Sequence, residues 1–202
     1  PPMAAFLILE PRCVFLHVPK TGGASIRRDF FKNRYEGPVQ GTIPEEWSEL
    51  FKFGFVRDPF DRLISAWQMF ASGMDNTIWE HPGEDCRGIS LREFMEIIMD
   101  ESIPFDGRRS SIPRKIRHHA MPQTHPFYCI AQADFVGRFE RLEDDFQTVL
   151  DRLGIPRQSL GHMNRGKRQK KTMEYFDPET WQLAVDFYAQ DFAQLGYEIT
   201  EL

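Results

Sequence analysis

Short apolar runs alternate along this chain with stretches whose apolar positions recur every three or four residues. Cys13–Val18 (CVFLHV) is a run of the kind a buried parallel strand uses. Pro19–Gly23 breaks it, and Ala24–Asn33 reads as a helix. Phe51–Val56 (FKFGFV) is a second strand, followed at Asp58-Pro59 by a helix start, since proline is well suited to the first helical position. That helix runs to Ala71, with Phe60, Leu63, Ile64, Trp67 and Phe70 on one face. Ser90-Leu91-Arg92-Glu93 has capping-box spacing and opens a helix to Met99. Ala133–Phe139 (ADFVGRF) is a third strand, and Glu140–Leu153 an amphipathic helix closed by Gly154. A last helix starts at Asp177-Pro178 and ends at Gly196. Its stripe of Trp181, Val185, Tyr188, Phe192 and Leu195 reads as core. Residues 34–50, 72–89 and 101–128 show no clear period.

Strands alternating with helices predict an α/β fold. The expected architecture is a single domain over residues 1–202, with a P-loop-like parallel β-sheet flanked by helices. The 202 residues, 41% hydrophobic and 27% charged, suit one folded domain with one core. In such sheets ligands bind beyond the carboxyl ends of the strands. Both Pro19–Gly23 and Arg57–Pro59 occupy that position.

The net charge of −5 hides two basic segments. One holds Arg108, Arg109, Arg114, Lys115 and Arg117, the other Arg165, Lys167, Arg168, Lys170 and Lys171. Each alone reads as a solvated loop; together they suit an anionic ligand. No basic helix face or nucleic-acid-binding motif accompanies them, so nucleic acid is not an expected partner. Three widely spaced cysteines, Cys13, Cys86 and Cys129, suggest neither a disulfide framework nor a zinc site. A reducing compartment is the simpler reading, with a Cys86–Cys129 bridge as the alternative. No apolar run approaches the roughly 20 residues that cross a bilayer. Ala4–Glu10 is too short for a signal-peptide core. The chain begins Pro-Pro-Met, and Met3 is the expected natural start.

The chemistry centres on two segments. In His17-Val18-Pro19-Lys20-Thr21-Gly22-Gly23-Ala24-Ser25 a strand passes through a glycine-rich turn into a helix. Glycines admit close approach of a ligand, and N–H groups at the helix start face it. The segment reads equally as a plain structural turn or as a phosphate or sulfate cradle. It is not a Walker A loop, because Lys20 precedes the glycines. The second segment, Phe53 to Trp67, places Arg57 at a strand end and Ser65 about two turns along the next helix. Arg57 can fork onto phosphate oxygens. It can also simply pair with Asp58 at the surface.

These segments resemble the paired nucleotide-binding motifs of sulfotransferases that use PAPS (3′-phosphoadenosine-5′-phosphosulfate). The likeness is to the branch of Golgi carbohydrate sulfotransferases and many bacterial relatives. It continues through His119-x-x-Pro122-Gln123, Asp134-Phe135-Val136-Gly137-Arg138-Phe139-Glu140-x-Leu142, Asn164 and Tyr188-x-x-Asp191-Phe192-x-x-x-Gly196-Tyr197. The resemblance implies that Lys20, Thr21, Gly22, Gly23, Ala24 and Ser25 hold the 5′-phosphosulfate of PAPS. It implies that Arg57 and Ser65 hold the 3′-phosphate, and that Arg165 and Lys167 lie in a loop closing over the nucleotide. Residues 12–71 and 131–202 would form the nucleotide-binding core, with acceptor loops at 72–89 and 101–128. The family needs no metal.

The implied reaction is in-line sulfuryl transfer to an acceptor hydroxyl, with a carbohydrate as the expected acceptor. Lys20 is the expected stabiliser of charge on the departing oxygen. Many relatives carry a His base between the two motifs, and Arg34–Lys52 contains none. The candidate bases are His119, then Glu46, then His17. The missing His keeps open a second reading, a catalytically degenerate module that binds nucleotide or anionic glycan. A cytoplasmic bacterial enzyme is the expected setting, with the Golgi lumen as the alternative if a membrane anchor was removed.

Overall fold

The computed structural model describes residues 4–32, 34–39, 41–73, 85–106, 110–160 and 170–202. The chain gathers into two compact units. One comprises Pro1–Arg57 and Gln123–Arg165, the other Asp58–Pro122 and Gly166–Leu202.

The first unit is built on a five-stranded sheet: β1 (Ala5–Leu9), β2 (Arg12–Leu16), β3 (Tyr35–Val39), β4 (Lys52–Val56) and β5 (Phe135–Arg138). The spatial order is β3-β1-β2-β4-β5. The predicted strands β2, β4 and β5 form its parallel part, with Leu16 opposite Gly54 and Val56 opposite Arg138. The α/β class is therefore as expected, but the sheet is mixed: β1 pairs antiparallel with β2 on one side and with β3 on the other. The sequence pattern predicts no strand in either segment. Ala5–Leu9 is a five-residue apolar run, too short for periodicity to classify. Tyr35–Val39 carries Gly37 and Pro38 and pairs on one side only, as suits an edge strand.

Helix α4 (Leu142–Leu153) belongs to this unit, as does a short helix over Ser25–Phe30. The core joins Phe146, Val149 and Leu150 of α4 to Phe15, Phe53 and Phe55 of the sheet. Phe146 meets Phe30 edge-on at a ring separation of 4.8 Å. Alternating side chains of β4 thus face one layer of helices, and large aromatic rings fill the space between.

The second unit is helical: α1 (Pro59–Ala71), α2 (Leu91–Met99), α3 (Ile112–Ala120), α5 (Pro178–Phe187) and α6 (Ala189–Leu195). Their starts are chemically marked. Asp58 accepts the N–H of Asp61 at 2.8 Å, and Ser90 with Glu93 makes the expected capping box. The core includes Phe60, Leu63, Phe70, Phe94, Ile116, Tyr188 and Phe192. The expected last helix is two, broken at Tyr188, whose hydroxyl donates to the Ala120 carbonyl at 2.5 Å.

Helix α3 lies where an irregular loop was expected. Its apolar positions Ile112, Ile116 and Ala120 do recur every four residues, but Lys115, Arg117 and His118 between them are buried as well. Arg117 is accommodated by donating to the carbonyls of Ile98 and Ile103. A helix that buries cations this way shows no clean polar face to a pattern reading. Among the described residues, no helix is long and apolar enough to cross a membrane. Cys13, Cys86 and Cys129 are each buried as thiols.

Candidate active site

Strand β2 ends at Leu16 and delivers the segment His17–Ser25 to the carboxyl edge of the sheet. The turn is sharp. Lys20 has φ 71° and Gly22 has φ 84°, both in the left-handed region. Glycine takes this conformation freely, whereas a lysine held there costs roughly 1–3 kcal/mol. Thr21 is buried and its Oγ1 donates to the Val18 carbonyl at 2.8 Å, closing the turn on itself. The Gly22 carbonyl then accepts from Ser25 N at 3.0 Å and Ile26 N at 3.4 Å, which starts the helix. The first N–H groups of a helix have no intrahelical acceptor and favour an anion. In this chain helical geometry opens at Gly23 and Ala24, a few residues after the cation Lys20.

Strand β4 runs parallel to β2 and brings Arg57 to the same edge. Arg57 is buried as a residue. Its Nη1 donates to the Lys20 carbonyl at 3.2 Å, and its guanidinium carbon lies 4.0 Å from the centre of the Phe139 ring. The backbone of Arg57 is clasped by a side chain distant in sequence. Gln123 Oε1 accepts the Arg57 N–H at 2.9 Å, and Gln123 Nε2 donates to the Arg57 carbonyl at 2.7 Å. Arg57 is therefore a joint between the two sequence motifs.

One unit thus brings together His17, Lys20, Thr21, Gly22, Gly23, Ala24, Ser25 and Arg57. His17 is buried among Phe6, Phe15 and Gly23. Glu46 lies exposed on the single turn Glu45–Trp47 of the same unit. Ser65 and His119 belong to the helical unit. Ser65 is half-buried on α1. His119 is half-buried on α3, where its Nδ1 meets the Lys115 carbonyl at 2.8 Å and its ring meets Phe70 edge-on. Asn164, Arg165, Lys167 and Arg168 lie outside the described residues, as do Arg108 and Arg109.

Sequence reasoning missed the parts played by Gln123 and Phe139. Both stood inside matched motifs, but only the fold shows that they converge on Arg57. Burial pushes the Cys13 thiol, at the start of β2, up to about 12, which disfavours the thiolate. Among the described residues no group of three or more His, Cys, Asp or Glu is placed to hold a metal ion. The Arg57 guanidinium, the Lys20 ammonium and the backbone N–H groups of the glycine turn, at one sheet edge, can hold a ligand carrying more than one anionic group.

A family model described as "Sulfotransferase family" matches residues 10–198. Among curated proteins, the chain is 26% identical over 176 residues to carbohydrate sulfotransferase 14 of Danio rerio, covering 74% of this chain and 44% of that protein. It is 31% identical over 120 residues to carbohydrate sulfotransferase 14 of Mus musculus, covering 52% of this chain and 29% of that protein. It is 24% identical over 169 residues to carbohydrate sulfotransferase 9 of Homo sapiens, covering 71% and 36%. The chain therefore spans less than half the length of these relatives. No solved structure matches it.

Proposed function

We propose that this chain, which belongs to the sulfotransferase family, moves a sulfuryl group from PAPS to a hydroxyl of a carbohydrate. The observation that carries the reading is the hydrogen bond from Arg57 to the Lys20 carbonyl. It draws two anion-binding motifs into one cradle, as a ligand with phosphates at both ends of a nucleoside requires. The names of the matched relatives, all carbohydrate sulfotransferases, support a sugar as acceptor.

The donor set fits PAPS. Lys20, Thr21, Gly22, Gly23, Ala24 and Ser25 would hold the 5′-phosphosulfate through backbone N–H groups, the Ser25 hydroxyl and the Lys20 ammonium, since the Thr21 hydroxyl proton goes to the Val18 carbonyl. Arg57 and Ser65 would hold the 3′-phosphate, with Arg165 and Lys167 closing over the nucleotide. PAPS, when bound, supplies a sulfuryl group attached to a phosphate that leaves readily.

The protein's part is electrostatic and protonic. Lys20 stabilises charge that grows on the departing oxygen, which lowers the barrier more than it strengthens binding. No metal is needed in this account. For the base, His119 is the candidate we carry forward. Its Nδ1–H bonded to the Lys115 carbonyl selects the tautomer with the lone pair on Nε2, the form that accepts a proton. Glu46 is the second candidate. His17 is third, because its ring packs against Gly23 and shapes the turn.

Two measurements test the reading. Transfer of labelled sulfate from PAPS to a panel of glycans should proceed without added magnesium. Adenosine 3′,5′-bisphosphate should raise the melting temperature by mass action, and ATP, lacking the 3′-phosphate, should raise it less. Equal effects of ATP would sink the donor assignment. Nucleotide binding without transfer to any acceptor would favour the degenerate module instead.

A further inference from the structure

We infer that Gln123 is a positioning residue for the nucleotide site, acting through Arg57, and that its side-chain amide serves as a one-residue strand at the edge of the sheet. The inference rests on the proposed use of Arg57 as a phosphate ligand.

Strand β4 ends at Val56, which is the last residue of β4 to pair with β5. Arg57 is the next residue, and its N–H and C=O have left the ladder at a buried position. Buried backbone groups demand partners. The Gln123 amide meets both, accepting at 2.9 Å and donating at 2.7 Å, the pattern a neighbouring strand would give. Gln123 itself is completely buried, so its amide has no solvent alternative. A primary amide of this length offers a donor and an acceptor side by side at every pH, whereas a carboxyl group does so only when protonated.

The consequence reaches the ligand-binding atoms. With its backbone fixed, Arg57 lays its guanidinium over Phe139 and holds the Lys20 carbonyl. Lys20 is the residue that sits at φ 71° against its own preference. Gln123 therefore orders, through one intermediary, both the expected reader of the 3′-phosphate and the backbone of the expected catalytic lysine. The chain also leaves the sheet unit at Arg57 and re-enters it at Gln123, so the clasp joins the two ends of the excursion through residues 58–122.

The test is calorimetric titration with adenosine 3′,5′-bisphosphate. It begins with the wild type, whose failure to bind would overturn the proposed function and this inference with it. Given wild-type binding, Gln123→Leu should weaken the nucleotide about tenfold, the scale of one or two hydrogen bonds. In an Arg57→Ala background the same change should weaken it less than about twofold, because the effect passes through Arg57. Gln123→Glu supplies a pH profile. Its carboxylate cannot donate to the Arg57 carbonyl, whereas its protonated form can. Its affinity relative to wild type should therefore recover as pH falls, while that of Gln123→Leu stays flat. Should Gln123→Leu fail to fold, the near-isosteric Gln123→Glu decides alone. Unchanged affinity in these variants, equal losses with and without Arg57, or a flat Gln123→Glu ratio would overturn the inference and leave the proposed function standing.

Discussion

The imidazole of His17 lies so close to the α-carbon of Gly23 that a β-carbon there would come within 2.2 Å of its Cδ2 and 2.5 Å of its Nε2. His17 is buried, with the Phe6 and Phe15 rings about it, so it has little room to yield. The second glycine of the turn is therefore required for space: the backbone passes over the face of a histidine that the strand has fixed.

Gly23→Ala should consequently destabilise the protein by about 1–3 kcal/mol, the scale of overpacking. It should also weaken nucleotide binding, because the helix start must shift. The measurement is a double-mutant cycle by thermal and denaturant unfolding. Gly23→Ala should cost clearly less in a His17→Ala background, since the ring it strikes is gone. Equal costs in both backgrounds would show that the ring contact is not what fixes this glycine.

Lys20 and Arg57 should separate binding from turnover. Arg57→Ala should weaken nucleotide binding by about 1.5–3 kcal/mol, the range for hydrogen bonds to charged groups. Its loss also frees the Lys20 carbonyl, so some fall in turnover should accompany it. Lys20→Ala should reduce kcat more than affinity, because its main interaction strengthens in the transition state. Steady-state kinetics beside calorimetry checks both. A Lys20→Ala enzyme with raised KM and unchanged kcat would refute the role given to Lys20.

These residues show what sequence could and could not reveal. Strands β2, β4 and β5 were legible because each is a short apolar run bounded by turn residues. The cradle was legible because its glycines, its lysine and the following helix are local. Strand β3 was hidden by Gly37 and Pro38, which only an edge position tolerates. Helix α3 was hidden because it buries Lys115, Arg117 and His118, against the usual sorting of charge to the surface. The clasp of Gln123 on Arg57 joins residues 66 apart, and no local rule foretells such a pairing.

Alkaline stability should carry the mark of Cys13. Burial pushes its thiol up to about 12 in the folded protein. In the unfolded chain a cysteine loses its proton near roughly pH 8.5. Below that pH both states hold the proton, and this group contributes no slope. Between there and about pH 12 the unfolded state binds fewer protons, so stability falls as pH rises, by up to about 1.4 kcal/mol per unit. Urea midpoints measured from pH 8 upward should decline less steeply for Cys13→Val, which removes the thiol while filling most of its space. Identical slopes for both proteins would mean that Cys13 does not titrate across this window.

His119 sits on α3, and its own carbonyl accepts from the fully buried guanidinium of Arg62. That bond uses backbone, so His119→Ala leaves it in place and puts the best helix former into a helix. The ring itself packs on Phe70 and lies half-exposed, so its removal should be tolerated by the fold. Turnover should nevertheless fall by about 10²-fold or more, the usual worth of a general base, with nucleotide affinity nearly unchanged. Neighbouring His118 is almost completely buried, and His118→Ala should lower the melting temperature more than it lowers turnover per folded molecule. The tautomer adds a sharper check. With Nδ1 held by the Lys115 carbonyl, His119→Gln keeps a polar side chain of similar reach but no proton acceptor of comparable basicity. It should be as slow as His119→Ala, and the acid limb of the wild-type pH–rate profile should vanish in both variants. If His119→Ala turns over normally while Glu46→Gln does not, the base is Glu46.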